Sequence, residues 1–220
     1  MDVFEALYTT RAMRRVRPDP IPMDVQKQIL DAAVRAPTGG NMQGWRFILV
    51  DDPGLKKKLE PLYQAGLDTL FSTVYGEPLA AAEKNPDAAA SIELMKMARS
   101  ARHLADHFSE VPLFLFACIG NRDTTGGSIF PAVWSAMLAA RAHGVGSALT
   151  SLLSMYHPKE LNALLGIPTA EGWSCAATVS FGYPTGRWGV APRRPAHEVS
   201  GRNGWNGDVG FEVGEPLFEV

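Results

Sequence analysis

The chain has 220 residues, 46% of them hydrophobic and 20% charged, with a net charge of −2. That length allows one large domain or two small ones, and the balance is that of an ordinary globular protein. The near-neutral charge excludes a global field that would recruit nucleic acid, no apolar run is long enough to span a membrane, and MDVFEALYTTR at the start lacks the basic-then-apolar order of a secretory leader. The expected location is therefore cytoplasmic.

Residues 2–9 read as a short helix with Val3, Phe4, Leu7 and Tyr8 on one side. Pro18, Pro20 and Pro22 force an extended link after it. Asp24 is the expected N-cap of a helix that runs to Arg35, with Val25, Ile29, Leu30, Ala33 and Val34 as its apolar stripe. Pro37, Gly39 and Gly40 stop it. Arg46–Val50 reads as a buried strand, and Asp51-Asp52-Pro53-Gly54 as a turn opening a helix over Leu55–Ala65. Ala80–Ala90 and the mixed run after it read as helix, broken near Asn85-Pro86.

Pro112–Ile119 is a continuous apolar run, as a central strand requires. Ile129–His143 is an almost wholly apolar helix, which predicts burial on two sides: the core and a subunit interface. Ser147–Ser151 is a short strand, His157-Pro158 opens a helix to Leu165 capped by Gly166, and Ser174–Phe181 is a further strand closed by Gly182-Tyr183-Pro184. The tail beyond Val199 has five glycines before residue 215 and is expected to lie over the surface or over a partner. Strands too far apart for hairpins, intermixed with helices, predict one α+β or α/β domain around a central sheet.

The chemistry concentrates in the first quarter of the chain. Thr10–Pro22 (TRAMRRVRPDPIP) clusters guanidinium groups, which suit a phosphate or another delocalised anion. Ala36–Val50 (APTGGNMQGWRFILV) offers a Gly-Gly turn with small hydroxyl and amide side chains, where backbone N–H groups can approach a flat polar ligand. A cationic clamp beside an exposed-backbone loop suggests a phosphorylated cofactor. The alternatives are a solvated charge run at Arg14, Arg15 and Arg17 and a plain helix-stop turn at residues 38–40. Cys118 and Cys175 lie in apolar segments without a CxxC, as buried free thiols do. His103 and His107 stand four apart, but Asp106 and Glu110 complete no metal-ligand pattern, so no metal is expected.

Four segments in order resemble the nitroreductase family of FMN-dependent oxidoreductases. They are Thr10-Arg11-Ala12-Met13-Arg14, the Ala36–Val50 segment, Leu138-Ala139-Ala140-Arg141-Ala142-His143-Gly144-Val145-Gly146, and Gly182-Tyr183-Pro184 with Arg193-Arg194-Pro195. The chain departs from the pattern at Thr10, often basic, at Ala12, often Ser, and at Trp134-Ser135, often Gln-Asn. The resemblance implies a nitroreductase-like α+β fold: a single FMN-binding domain over residues 1–220, a central mixed sheet flanked by helices, and an interlocked homodimer. It implies FMN at the subunit interface, lined by both chains, with NADH or NADPH as reductant. The implied mechanism is ping-pong, with hydride passing to flavin N5 and on to a nitroaromatic, quinone or enone. A reductive dehalogenase or flavin-cleaving branch of the same fold, or a flavin-binding protein without turnover, are the alternatives.

The resemblance also implies site roles. Thr10, Arg11, Ala12 and Met13 would lie along the cofactor, with Arg11 and either Arg193 or Arg194 on its phosphate. Arg14 would polarise flavin N1 and O2, the one role here termed catalytic. Thr38, Gly39, Asn41 and Gln43 would serve the ribityl hydroxyls and the pyrimidine edge. Leu149, Thr150 and Ser151 would bring backbone donors near N5 and O4. Trp134 is either packing or part of a substrate pocket, and residues 66–110 are expected to cover the site.

Overall fold

A computed structural model describes residues 1–121, 123 and 125–218. In chain order the elements are α1 (Val3–Thr9), α2 (Met23–Ala33), β1 (Trp45–Val50), α3 (Pro53–Thr73), α4 (Gly76–Lys84), α5 (Ala89–Asp106), β2 (Leu113–Ile119), α6 (Ile129–Ala142), β3 (Gly146–Thr150), α7 (Leu152–Tyr156), α8 (Pro158–Leu165) and β4 (Ser174–Gly182).

The sheet order is β1-β2-β4-β3, and every neighbouring pair is antiparallel. This corrects the mixed sheet expected from the sequence: among the described residues the parallel pairing is one isolated bridge, Ala12 with Ser147. The α+β class stands. Alternation along β2 splits the core in two. Leu113, Leu115 and Ala117 point to a cluster under α2 and α6 that includes Ile29, Ala33, Val133 and Ala136. Phe114, Phe116 and Cys118 point to the opposite cluster, with Leu59, Tyr63 and Leu67 of α3, Leu104 of α5 and Leu161 of α8. A strand that is buried on both faces reads as one apolar run, which is why β2 was legible.

Other boundaries move for physical reasons. The N-cap of α2 is Pro22, not Asp24; Val25 and Gln26 donate to the Pro22 carbonyl, and Asp24 sits in the first turn, where a carboxylate favours the helix dipole. The Asp52 carboxylate caps α3 by accepting from Leu55 N at 2.6 Å. That helix runs past Ala65 to Thr73, with Gly66 buried inside it against Leu152 of α7. The short α7 was not foreseen. Gly166 ends α8 in the left-handed conformation, φ 64°, as expected of that glycine. The tail is exposed, with Trp205 at 96%.

Candidate cofactor site

The arginine segment is clasped between two parts of the sheet. Met13 N donates to the Ser147 carbonyl of β3 at 2.9 Å. Four residues on, Arg17 N donates to the Tyr183 carbonyl at 2.8 Å, and Thr185 N donates to the Arg15 carbonyl at 3.0 Å. Two glycines permit this approach. A Cβ on Gly146 would stand 2.8 Å from Met13 Cβ, and a Cβ on Gly182 would stand 2.6 Å from Val16 Cβ. Three of the sequence motifs thus converge: the arginine segment, the glycine after α6, and the Gly-Tyr-Pro turn.

Along this segment Met13 is buried and Ala12 exposed. Among the described residues Arg11 reaches only the carbonyl of Arg187, at 2.9 Å, and Arg14 only the Ser100 hydroxyl of α5, at 3.5 Å. Among the described residues neither guanidinium is paired with a carboxylate, unlike Arg17, which meets Asp19 at 3.0 Å. Arg15 lies 3.2 Å from Nδ1 of His103. Thr10 is buried, and its hydroxyl has no hydrogen-bond partner among the described residues.

On the adjacent edge, Leu149 is 39% exposed although its strand is otherwise largely enclosed. Thr150 accepts from Leu152 N at 3.3 Å and from the Tyr63 hydroxyl at 3.5 Å. The Ser151 hydroxyl contacts the Met155 sulfur at 3.2 Å. Tyr63 and Ser100 are residues that sequence reasoning missed; they sit in long helices whose patterning marks a core face and nothing more. Burial pushes the Tyr63 phenol above its ordinary value, while the Thr150 hydrogen bond and the Arg14 charge oppose it.

The second motif lies elsewhere. Gln43 N donates to the Thr38 hydroxyl at 3.2 Å, and the Gln43 side chain donates to Asn41 Oδ1 at 3.1 Å. Gly40, Asn41 and Gln43 all have positive φ, between 49° and 57°. Two non-glycine residues in the left-handed region cost on the order of 1 kcal/mol each, and such strain gathers at ligand clamps. Gly39, Asn41 and Gln43 are exposed and Thr38 half-buried.

This loop enters β1, the far edge of the sheet from β3. The ladder carries Thr150 to Thr178, Phe116 and Ile48, and the pairing continues past Trp45 to Gly44, whose carbonyl accepts from Gly120 N at 3.1 Å. Met13 and Gln43 are therefore at opposite corners, separated by about four interstrand steps of ~4.8 Å and about eight rises of ~3.4 Å, on the order of 30 Å in all. One chain does not bring the arginine segment and the Thr38–Gln43 loop together.

Arg194 is tied to Glu198, at 3.2 Å to Oε2, whereas among the described residues Arg193 hydrogen-bonds only to the preceding carbonyl of Pro192, at 2.8 Å. Among the described residues no hydrogen bond joins either to Arg11. Trp134 is 38% exposed on α6 beside Phe130 at 44%, while Met137 faces the core. The rings of His103 and His107 lie with centroids 4.3 Å apart, tilted by 39°, and His107 meets Glu110 at 3.0 Å. Among the described residues no group of three potential metal ligands forms, and no helix is long and apolar enough to cross a membrane.

The residues fit FMN on three counts. Two guanidinium groups with no carboxylate partner among the described residues suit a phosphate and an electron-rich ring edge. A half-exposed Leu149 beside them gives an apolar rest for a planar ring. The unpartnered Thr10 hydroxyl lies at the start of the same segment.

Known proteins resemble this chain in sequence and in fold. An NADH dehydrogenase from Thermus thermophilus is 26% identical over 206 residues, spanning 90% of this chain and 95% of the relative. A crystal structure of oxidized iodotyrosine deiodinase bound to FMN and 3-iodo-L-tyrosine superposes with a TM-score of 0.70 at 21% identity, covering 88% of this chain and 95% of that one. The FMN-dependent nitroreductase NfnB from Mycobacterium smegmatis, in complex with NADPH, superposes with a TM-score of 0.59 at 21% identity, covering 82% and 86%. The sequence pattern of the nitroreductase family matches residues 7–183, which take in the clasped arginine segment, the strained loop and all four strands and end at Tyr183, and this chain belongs to that family.

Proposed function

We propose that the chain is an FMN-dependent oxidoreductase that takes hydride from NADH or NADPH and passes it, in ping-pong order, to an electron-poor acceptor such as a nitroaromatic, quinone or enone. The clasped arginine segment carries this reading: it holds Arg11 and Arg14 beside the exposed Leu149 edge, with no carboxylate partner among the described residues. FMN, when bound, supplies a two-electron relay between nicotinamide and acceptor. Arg11 would hold the phosphate, with Arg193 as its partner in preference to Arg194, whose charge is offset by Glu198. Arg14 would place a fixed cation at the pyrimidine edge, where it favours the reduced, anionic state. Thr10, Ala12 and Met13 fix the segment's register, and the backbone of Leu149, Thr150 and Ser151 would face the ring. No side-chain acid or base is needed.

The site is completed by a second copy. Thr38, Gly39, Asn41 and Gln43 stand too far from Arg11 in one chain to share an FMN with it, so the partner's loop would close the site over a single domain of residues 1–220. Two further features support association. The accessible surface, 12707 Å², exceeds the roughly 9,900 Å² expected of a compact monomer of this mass. Val3, Phe4 and Leu7 of α1 and Phe130 and Trp134 of α6 are all exposed, a pattern that marks an interface.

A mixed dimer tests the arrangement. Arg11→Ala and Gln43→Ala/Asn41→Ala chains, each weak for FMN alone, are co-expressed with different tags and purified as the heterodimer. A site shared between chains leaves one intact pairing, so FMN occupancy and NAD(P)H oxidation should return to about half the wild-type level. A heterodimer that stays as weak as both parents would overturn the shared site. Wild-type protein that binds no FMN would overturn the function.

A further inference from the structure

Cys118 and Cys175 are cross-strand partners on the two central strands. A bulge creates the pairing. Ala117 opposes Ala177, but the next residue, Cys118, opposes Cys175, leaving Ala176 extra. The extra residue also reverses the alternation of β4, so that Ala176 packs toward the α2/α6 side and Cys175 toward the α3/α8 side, where Cys118 already points. Without the bulge the two sulfurs would not face each other.

Both thiols are free and buried, Cys118 at 2% exposure and Cys175 at 8%. Cross-strand partners hold their Cα atoms about 4.5–5.5 Å apart, inside the roughly 4.4–6.8 Å that a disulfide spans. The single S–H of Cys175 has two acceptors in reach, the Ala177 carbonyl at 3.5 Å and the Cys118 sulfur. Donation to the sulfur holds the Cys118 thiol below its ordinary value, while keeping that proton raises Cys175.

Cys118 also has an approach. It lines a cleft of about 350 Å³ together with Arg46, Phe47, Pro168, Glu171 and Trp173. The Arg46 guanidinium lies over the Trp173 ring at 6.0 Å from its centroid, at the wall of this cleft. Cys175 does not line it, so a reagent entering there meets Cys118 first.

We propose that Cys118 and Cys175 form a peroxide-oxidisable dithiol, with the cleft admitting hydrogen peroxide or a small organic hydroperoxide to Cys118. The Cys118 sulfur attacks one peroxide oxygen and the O–O bond breaks. Cys118 becomes a sulfenic acid, oxidised by two electrons, and the peroxide leaves reduced as water or an alcohol, taking up the thiol proton. The Cys175 sulfur then attacks the Cys118 sulfur. The S–S bond forms, the S–O bond breaks, and the hydroxyl leaves as water with the Cys175 proton. Two thiols and one peroxide give one disulfide and two molecules of water, or one water and one alcohol. The site is independent of flavin binding.

Treatment of the native protein with a molar excess of hydrogen peroxide, followed by thiol titration in denaturant, reads the outcome directly. The two thiols per chain should fall to none, with the mass lower by two hydrogens. Peptide mapping without reductant should show an intrachain Cys118–Cys175 link that dithiothreitol reverses. The Cys175→Ser variant should stop at a sulfenic acid on Cys118, trapped by dimedone, and Cys118→Ser should give no adduct. Persistence of both thiols in the wild type, a link between chains, or equal reaction at Cys175 in the Cys118→Ser variant would each overturn the proposal. The wild-type measurement stands even if a serine variant misfolds.

Discussion

Gly182 and Val16 are packed so closely that a Cβ on the glycine would come within 2.6 Å of Val16 Cβ and 2.7 Å of its Cγ2. The contact is between a strand end and a loop, and the loop carries Arg14 and Arg15. Val16 forms the bridge to Pro184, so its position fixes the arginines along the sheet.

Gly182→Ala should therefore destabilise the protein by about 1–3 kcal/mol, the usual range for overpacking. FMN affinity should fall with it, because the arginine segment must shift. Val16→Ala in the same chain should recover part of both losses, and a double-mutant cycle in urea measures the coupling. Additive losses would show that the two residues do not share the strain.

Arg11→Ala and Arg14→Ala should separate binding from potential. A phosphate contact acts equally on oxidised and reduced cofactor, whereas a cation at the pyrimidine edge acts on the reduced state. Arg11→Ala should raise the FMN dissociation constant by about tenfold or more, the equivalent of a charged hydrogen bond, with little change in potential. Arg14→Ala should lower the flavin potential with a smaller effect on binding. FMN titration and redox titration of both variants check this.

Met137 and Trp134, neighbours on α6, should respond in opposite ways. Met137 is 6% exposed in the core, so Met137→Glu buries an unpaired charge and should cost several kcal/mol, leaving unfolded chain. Trp134 is 38% exposed, so Trp134→Glu should leave a folded chain with weakened self-association, seen by sedimentation. The milder Trp134→Gln should shift the ratio of kcat/KM between a bulky quinone and a small nitroaromatic while the NAD(P)H half-reaction stays nearly constant. Equal falls in both half-reactions would make Trp134 a packing residue only.

Acid should loosen the contact between the arginine segment and α5. Burial, then the charges of Arg15 and His107, hold His103 below its ordinary value, against the opposing pull of Asp106 and Glu110. A base with a depressed folded pKa contributes stability above its unfolded value, and that stability is lost as pH falls through the folded one. The urea midpoint of the wild type should therefore drop modestly from about pH 6.5 downward, because protonated His103 can no longer accept from Arg15. His103→Gln should flatten that part of the profile.

The apolar run of β2, the turn that opens α3, the stop at Gly166 and the break at Asn85-Pro86 were all legible in the sequence, because each depends on residues within one turn or one strand. So were the arginine segment and the Gly-Gly loop as chemical groups, and the family they signal. Their relative placement was not. The two motifs are adjacent in sequence, yet the strand order β1-β2-β4-β3 sets them at opposite corners of the sheet. That order is decided by long-range pairing, which leaves no local trace. Tertiary structure alone also showed Tyr63 under Thr150 and the bulge that turns Cys175 toward Cys118. A one-residue change of register moves a side chain to the other face of a sheet, and no spacing along the chain records whether it has occurred.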